Sequence, residues 1–167
     1  MPNCNFNACF SGPGYPRSVF TCNCNTGACS GARVVNPDVP SQFAVFTLNA
    51  ETLIESGEVI PVSRGVFSGT AITDGGEGRI NLTAGAYRIS YNALAEIPAG
   101  GEVRAALFLD DALIPTTESV ATGGVADEVS LSNQIIVNLE ESGVLTVVNT
   151  TGESVNFLTT NVSVDKL

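Results

Sequence analysis

Five cysteines, Cys4, Cys9, Cys22, Cys24 and Cys29, all fall within the first 29 residues, and the remaining residues hold none. Thiols at such spacing have three chemistries open to them: disulfide exchange, thiolate ligation of a metal, or idleness as free side chains. The gaps do not show the two-residue spacing of paired zinc ligands, and the chain has no His to complete a site. Cys22 and Cys24 are too close to pair well with each other. An odd count leaves at least one thiol unpaired inside one chain, which favours a bond to another chain. All five are therefore candidates for intermolecular disulfides, with metal binding and free thiols as the alternatives.

Other reactive groupings are sparse. The absence of His removes the commonest general base, the commonest metal ligand and the near-neutral pH switch. The acid pairs Asp110-Asp111, Asp127-Glu128 and Glu140-Glu141 offer oxygen ligands for calcium, or simply solvated turns. Paired carboxylates could cleave glycans, but there is no Trp to stack a sugar. No catalytic, cofactor-binding or metal-ligating residue is assigned, and neither a cofactor nor an enzymatic activity is expected.

The charge divides where the thiols do. Residues 1–37 carry Arg17 and Arg33 and no acid, whereas residues 38–167 carry all 17 acids against five bases, a net of −12. That balance argues against nucleic acid or anionic membranes as partners. No apolar run approaches the roughly 20 residues needed to span a membrane. Met1-Pro2-Asn3-Cys4-Asn5 lacks the basic start of a signal peptide, so export by another route is the expectation.

These features predict an N-terminal arm over residues 1–40 and a globular body over 41–167. Gly12-Pro13-Gly14 and Tyr15-Pro16 break regular structure in the arm. Ser18, Val19, Phe20 and Thr21, leading into Cys22, form a short β-prone piece suited to strand addition at a neighbour's sheet edge. From Gln42 onward strands take over. Ala86–Ala95 alternates Tyr87, Ile89, Tyr91 and Ala93 with Arg88, Ser90 and Asn92, the period-two pattern of one buried and one polar face. Phe43–Leu48, Val59–Val62, Gly65–Ser68, Arg79–Leu82, Val129–Leu139 and Phe157–Val164 also read as strands, and Asp74-Gly75-Gly76 reads as a turn. Val103–Leu109 and Val144–Val148 are apolar on both faces. A sandwich strand needs only one buried face, so Ala106, Phe108 and Val148 become candidates for an interface between chains. Eight to ten short strands without helical period predict an all-β antiparallel sandwich, a jelly roll.

Leu82-Thr83-Ala84-Gly85-Ala86-Tyr87-Arg88-Ile89-Ser90-Tyr91 resembles the signature strand of the bacterial jelly rolls related to tumour necrosis factor and the complement globular head. These include the C-terminal domains of collagen-like spore-surface glycoproteins of the BclA type. Ala105–Pro115, with its strand, turn and Ile114-Pro115, is similar to the next family segment. Gln134–Leu139 with Val144–Asn149, and the closing Val162–Leu167, follow in the same order. The resemblance covers residues 43–167.

It implies a jelly-roll homotrimer on a spore or cell surface; of the two the spore surface is the expectation, as exosporium or appendage, with itself and other spore-surface proteins as partners. It also implies release by lysis of the mother cell in place of secretion. Two departures stand out. The Gly-x-y stalk is missing, and a cysteine-rich arm occupies its place. The combined expectation is a structural, self-assembling subunit of a fibre or layer, joined by its arm. The alternative is a trimeric surface head that recognises a glycan or receptor.

Overall fold

Alternating apolar residues from Phe43 onward build strands, of which β1, β6 and β12 bury one face in strict alternation for most of their length. The structure, a computed structural model, describes residues 42–167. The arm candidates, Cys4, Cys9, Cys22, Cys24, Cys29 and Ser18–Thr21, lie outside the described residues. Twelve strands follow in order: β1 (Phe43–Thr47), β2 (Thr52–Ile54), β3 (Ser63–Ser68), β4 (Ile72–Gly76), β5 (Arg79–Leu82), β6 (Gly85–Glu96), β7 (Glu102–Leu109), β8 (Ala112–Leu113), β9 (Ser119–Thr122), β10 (Glu128–Leu139), β11 (Gly143–Asn149) and β12 (Val155–Lys166).

They form two sheets. Sheet one runs β10-β6-β12-β1-β3, with β2 on the start of β12; sheet two runs β4-β5-β11-β7-β8, with β9 on the start of β7. Every pairing is antiparallel. From β5 onward the chain crosses between sheets at β6, β7, β10, β11 and β12, the winding of a jelly roll. The expected fold class is the one observed.

The core lies between the sheets. Tyr87, Ile89, Tyr91, Ala93 and Ala95 of β6 enter it, as do Phe46, Phe157, Val162 and Val164 from the flanking strands of sheet one. Sheet two answers with Ile80, Leu82, Val103, Leu107, Leu145 and Val147. Truncating a fully buried aromatic such as Phe46 or Phe157 to Ala would cost about 3–5 kcal/mol.

Two local expectations change. Asp74-Gly75-Gly76 is the end of β4, and the chain reverses one step later at Glu77-Gly78. Both reversing residues have positive φ, 52° and 77°, as a two-residue hairpin with right-handed strand twist requires. The Asp74 carboxylate takes the Gly76 N–H at 2.8 Å, so its turn-like chemistry stabilises the strand end. Val59–Val62 is a single bridge, Val59 to Val148. Past it, Val62 N–H turns back to Ile60 O at 2.8 Å, a γ-turn centred on Pro61, whose fixed φ suits it.

Candidate functional site

The outer face of sheet one is assembled by register. Ser132 of β10, Asn92 of β6, Asn161 of β12, Thr47 of β1 and Ser63 of β3 stand in one row across five strands. Gln134, Ser90, Ser163 and Val45 form the row beside it. Neither row holds a charge. The following row brings Ile136, Arg88, Asp165 and Phe43 together, so a basic and an acidic side chain mark the margin. Ser90, Asn92, Ser132, Gln134, Asn161 and Ser163 line a shallow groove of ≈ 410 Å³. This is an open, neutral surface of amides and hydroxyls on a body of net charge −11.

Tyr91 supports the groove from beneath. Its hydroxyl lies 2.7 Å from Ala105 O and 3.1 Å from Thr117 O, and its one proton ties sheet one to sheet two. Burial pushes the Tyr91 hydroxyl above its ordinary value of 10.0. On the same sheet Thr160 turns inward opposite Ala93. Its buried hydroxyl has no hydrogen-bond partner among the described residues.

The outer face of sheet two is of another kind. Register places Val148 opposite Ala106, and Thr146 opposite Phe108, whose other neighbour is Leu113. The three candidates Ala106, Phe108 and Val148 are thus brought together. Within one body, however, Ala106 is 0% and Val148 7% exposed, and only Phe108 is half-buried. Residues 57–60 run along β11 beyond β5 and set Val59 beside Val148. Gly57 N–H donates to Asn149 O at 2.8 Å, Asn149 N–H to Glu58 O at 3.0 Å, and Ile60 N–H to Val147 O at 2.9 Å.

Asn149 anchors that segment. Its buried side-chain amide donates to Ile54 O, Glu55 O and Glu153 O at 2.9–3.2 Å and accepts Thr151 N–H at 3.0 Å. Ser56 Oγ adds a bond to Thr151 O. At the margin Arg104 meets Glu102 at 2.6 Å and Glu118 at 3.2 Å. The hydrogen bond from Arg104 holds the Glu102 carboxyl below its ordinary range.

The acid pairs serve turns. Asp110 and Asp111 both have positive φ and join β7 to β8, and Asp110 Oδ1 accepts Val144 N–H at 2.8 Å. Asp127 Oδ2 accepts Gly124 N–H at 2.8 Å. Among the described residues no cluster of three or more His, Cys, Asp or Glu could hold a metal ion.

Alternation along β6 shows Ser90 and Asn92 pointing outward, but their partners sit on β10 and β12. Pairing register alone unites them, and spacing along the chain does not encode it. The signal available beforehand was the lack of charge at the central outward positions of three separate strands, Ser90 and Asn92, Ser132 and Gln134, Asn161 and Ser163.

No family model matches the chain, and no curated protein does. Solved structures do. Eiger TNF from S. frugiperda is 13% identical, covering 77% of this chain and 93% of that one, with a TM-score of 0.63. The globular domain of zebrafish complement 1qA protein is 9% identical over 73% and 94%, with a TM-score of 0.60. Murine APRIL at pH 5.0 is 11% identical over 75% and 99%, also with a TM-score of 0.60. At such identities the likeness is one of architecture: the body is a jelly roll of the kind shared by the complement globular head and tumour necrosis factor.

Proposed function

We propose that this chain is a structural, self-assembling subunit of a bacterial spore surface layer or filamentous appendage, with a homotrimeric body coupled to its neighbours by the disulfide-forming arm. One observation carries the reading. On an acidic body, the middle of the sheet-one face carries no charge. Like charges brought together at an interface repel, so a second copy docks with least penalty where charge is absent. A face of Ser, Asn and Gln also supplies a donor and an acceptor on most side chains, so two copies can satisfy each other. The trimer follows from the family resemblance, and the arm thiols supply covalent coupling.

The test uses the full chain, with thiols blocked at lysis. Sedimentation should give trimers or larger species, non-reducing gels a ladder of multimers, and negative-stain images fibres or layers. A single monomer species with five titratable thiols would sink the proposal.

The groove supports a second reading. A neutral, open trough lined by hydroxyls and amides suits the hydroxyls of a glycan, and the protein would then be a surface binding head. Discrete trimers that bind saccharide, and whose binding is lost in Asn92→Ala, would favour it.

A further inference from the structure

Sheet one ends in two strands with contrasting edges. On β3, Gly65 and Val66 together oppose the single residue Val45, a bulge that breaks the edge. The Arg64 N–H of β3 is taken by Asp74 Oδ2 at 3.1 Å, and the Arg64 guanidinium lies 3.9 Å above the Phe67 ring. These are the devices by which natural sheets blunt their edges.

The β10 edge has none of them. Its 12 residues pair with β6 without a register shift, and its sequence holds no Pro, Lys or Arg and one acid, Glu128 at its start. Ser119 Oγ donates to Ser132 O at 2.7 Å from outside the sheet. The N–H and C=O of one strand residue point to the same side, and alternate residues point to opposite sides. Gln134, Ile136 and Asn138 therefore also direct N–H and C=O away from β6. The core is incompletely covered along this strand as well: Val129, Ile135 and Val137 are only partly buried, and Ile136, on the outer face, is 63% exposed.

We infer that the β10 edge from Gln134 to Asn138 receives, in antiparallel register, the segment Ser18–Cys22 from the arm of another copy. This rests on the self-assembly reading above and names its joint. Five residues meet five, about 17 Å of strand on each side. Ser18 falls opposite Asn138, Phe20 opposite Ile136 and Cys22 opposite Gln134. Phe20 then covers the exposed Ile136, an aromatic on a β-branched partner. Val19 and Thr21 face Val137 and Ile135 on the inner side and close the seam. The same register brings Arg17 beside Glu140-Glu141. A second body is a poorer occupant because it repeats the net charge of −11, whereas residues 1–37 carry two bases and no acid. Gln42, where the described body begins, lies 20 residues beyond Cys22, a length that reaches a neighbouring copy.

Ile136→Pro is the discriminating variant. The Ile136 N–H points outward, so Pro there spares the bonds to β6 but denies one bond to an added strand and obstructs its approach. In the oxidised full chain, sedimentation and negative-stain imaging should show joining between bodies weakened about tenfold or more. Phe20→Pro in the arm should do the same, and Val66→Lys on the β3 edge should assemble like the parent. Mixing Ile136→Pro chains with Phe20→Pro chains should restore a joined species, because one retains a working arm and the other a working edge. Ile136→Lys replaces Ile136→Pro if the latter fails to fold. Normal assembly of a folded β10-edge variant overturns the inference and leaves the self-assembly reading standing. Loss in Ile136→Pro but not in Phe20→Pro assigns the edge to a second body and overturns the arm's role. A parent chain that never associates overturns both.

Discussion

The two sheets share a core but differ in how far one body finishes them. Sheet two buries the middle of its own outer face: the 57–60 segment pairs along β11, Ala106 and Val148 are covered, and Phe108 and Leu113 stay partly open. Of its buried polar side chains, Thr117, Asn149 and Thr151 have partners within the body. Sheet one leaves neutral polar rows open, an inward hydroxyl without a partner at Thr160, and, from Gln134 to Asn138, a β10 edge with no bulge, Pro or cation. A doubly apolar strand reads from sequence as the place where another chain must pack. Here one body already buries Ala106 and Val148, and the less apolar sheet has the more open edge.

The largest expected effect comes from undoing sheet two's closure. Asn149→Ala leaves Ile54 O, Glu55 O and Glu153 O without their donor and should destabilise the body by about 3 kcal/mol. Chemical denaturation measures this, and increased binding of an apolar dye would report release of the 57–60 segment from Val148. An unchanged midpoint would show that the segment is not held by Asn149.

Charge placed on each outer face separates them next. Asn92→Asp preserves shape but puts a carboxylate into the neutral row, and should weaken self-association by about 2 kcal/mol while monomer melting holds. Phe108→Asp on sheet two should leave association near the parent value. Sedimentation equilibrium gives both numbers, and the reverse order would move the interface to sheet two.

Tyr91→Phe removes the tie between the sheets and should cost about 1.5 kcal/mol near neutral pH. The hydroxyl's pKa is raised in the folded state, so its contribution is complete below its ordinary value of 10.0 and is lost as pH rises through the folded value. Denaturation midpoints of parent and Phe variant should accordingly converge in strong alkali. A constant gap would contradict the burial assigned to Tyr91.

The smallest effect is a gain. Thr160→Val replaces an orphan buried hydroxyl by a methyl group of the same shape and should stabilise sheet one by about 1 kcal/mol. A loss instead would reveal a partner for that hydroxyl.

Legibility from sequence followed the range of the forces involved. β6 was readable because alternation from Tyr87 to Ala95 is local and burial of its one inner face is strict. β2, β4, β8 and β9 were missed: β2, β8 and β9 are short and exist because β12 and β7 offer them edges, and the turn-like Asp74-Gly75-Gly76 hid the end of β4. Val59 defaulted to a strand because Asn149, some ninety residues away, could not be seen holding its loop. Ala106, Phe108 and Val148 stand together by register, but the burial of Ala106 and Val148 within one body could not be read from their own strands. The groove needed the registers of three strands at once.

The placement of β12 has a consequence in time. β12 is the inner strand between β6 and β1, and Phe43 pairs with Asp165. At ribosomal speeds the stretch between those two residues takes on the order of 10 s to synthesise. Until β12 emerges, β1 and β6 lack their shared neighbour and sheet one cannot close. The body is thus a late product of its own translation, and a nascent chain carries half a sheet with open edges. Its dense negative charge then acts as a guard against premature contact between unfinished copies, well before it shapes any contact between finished ones.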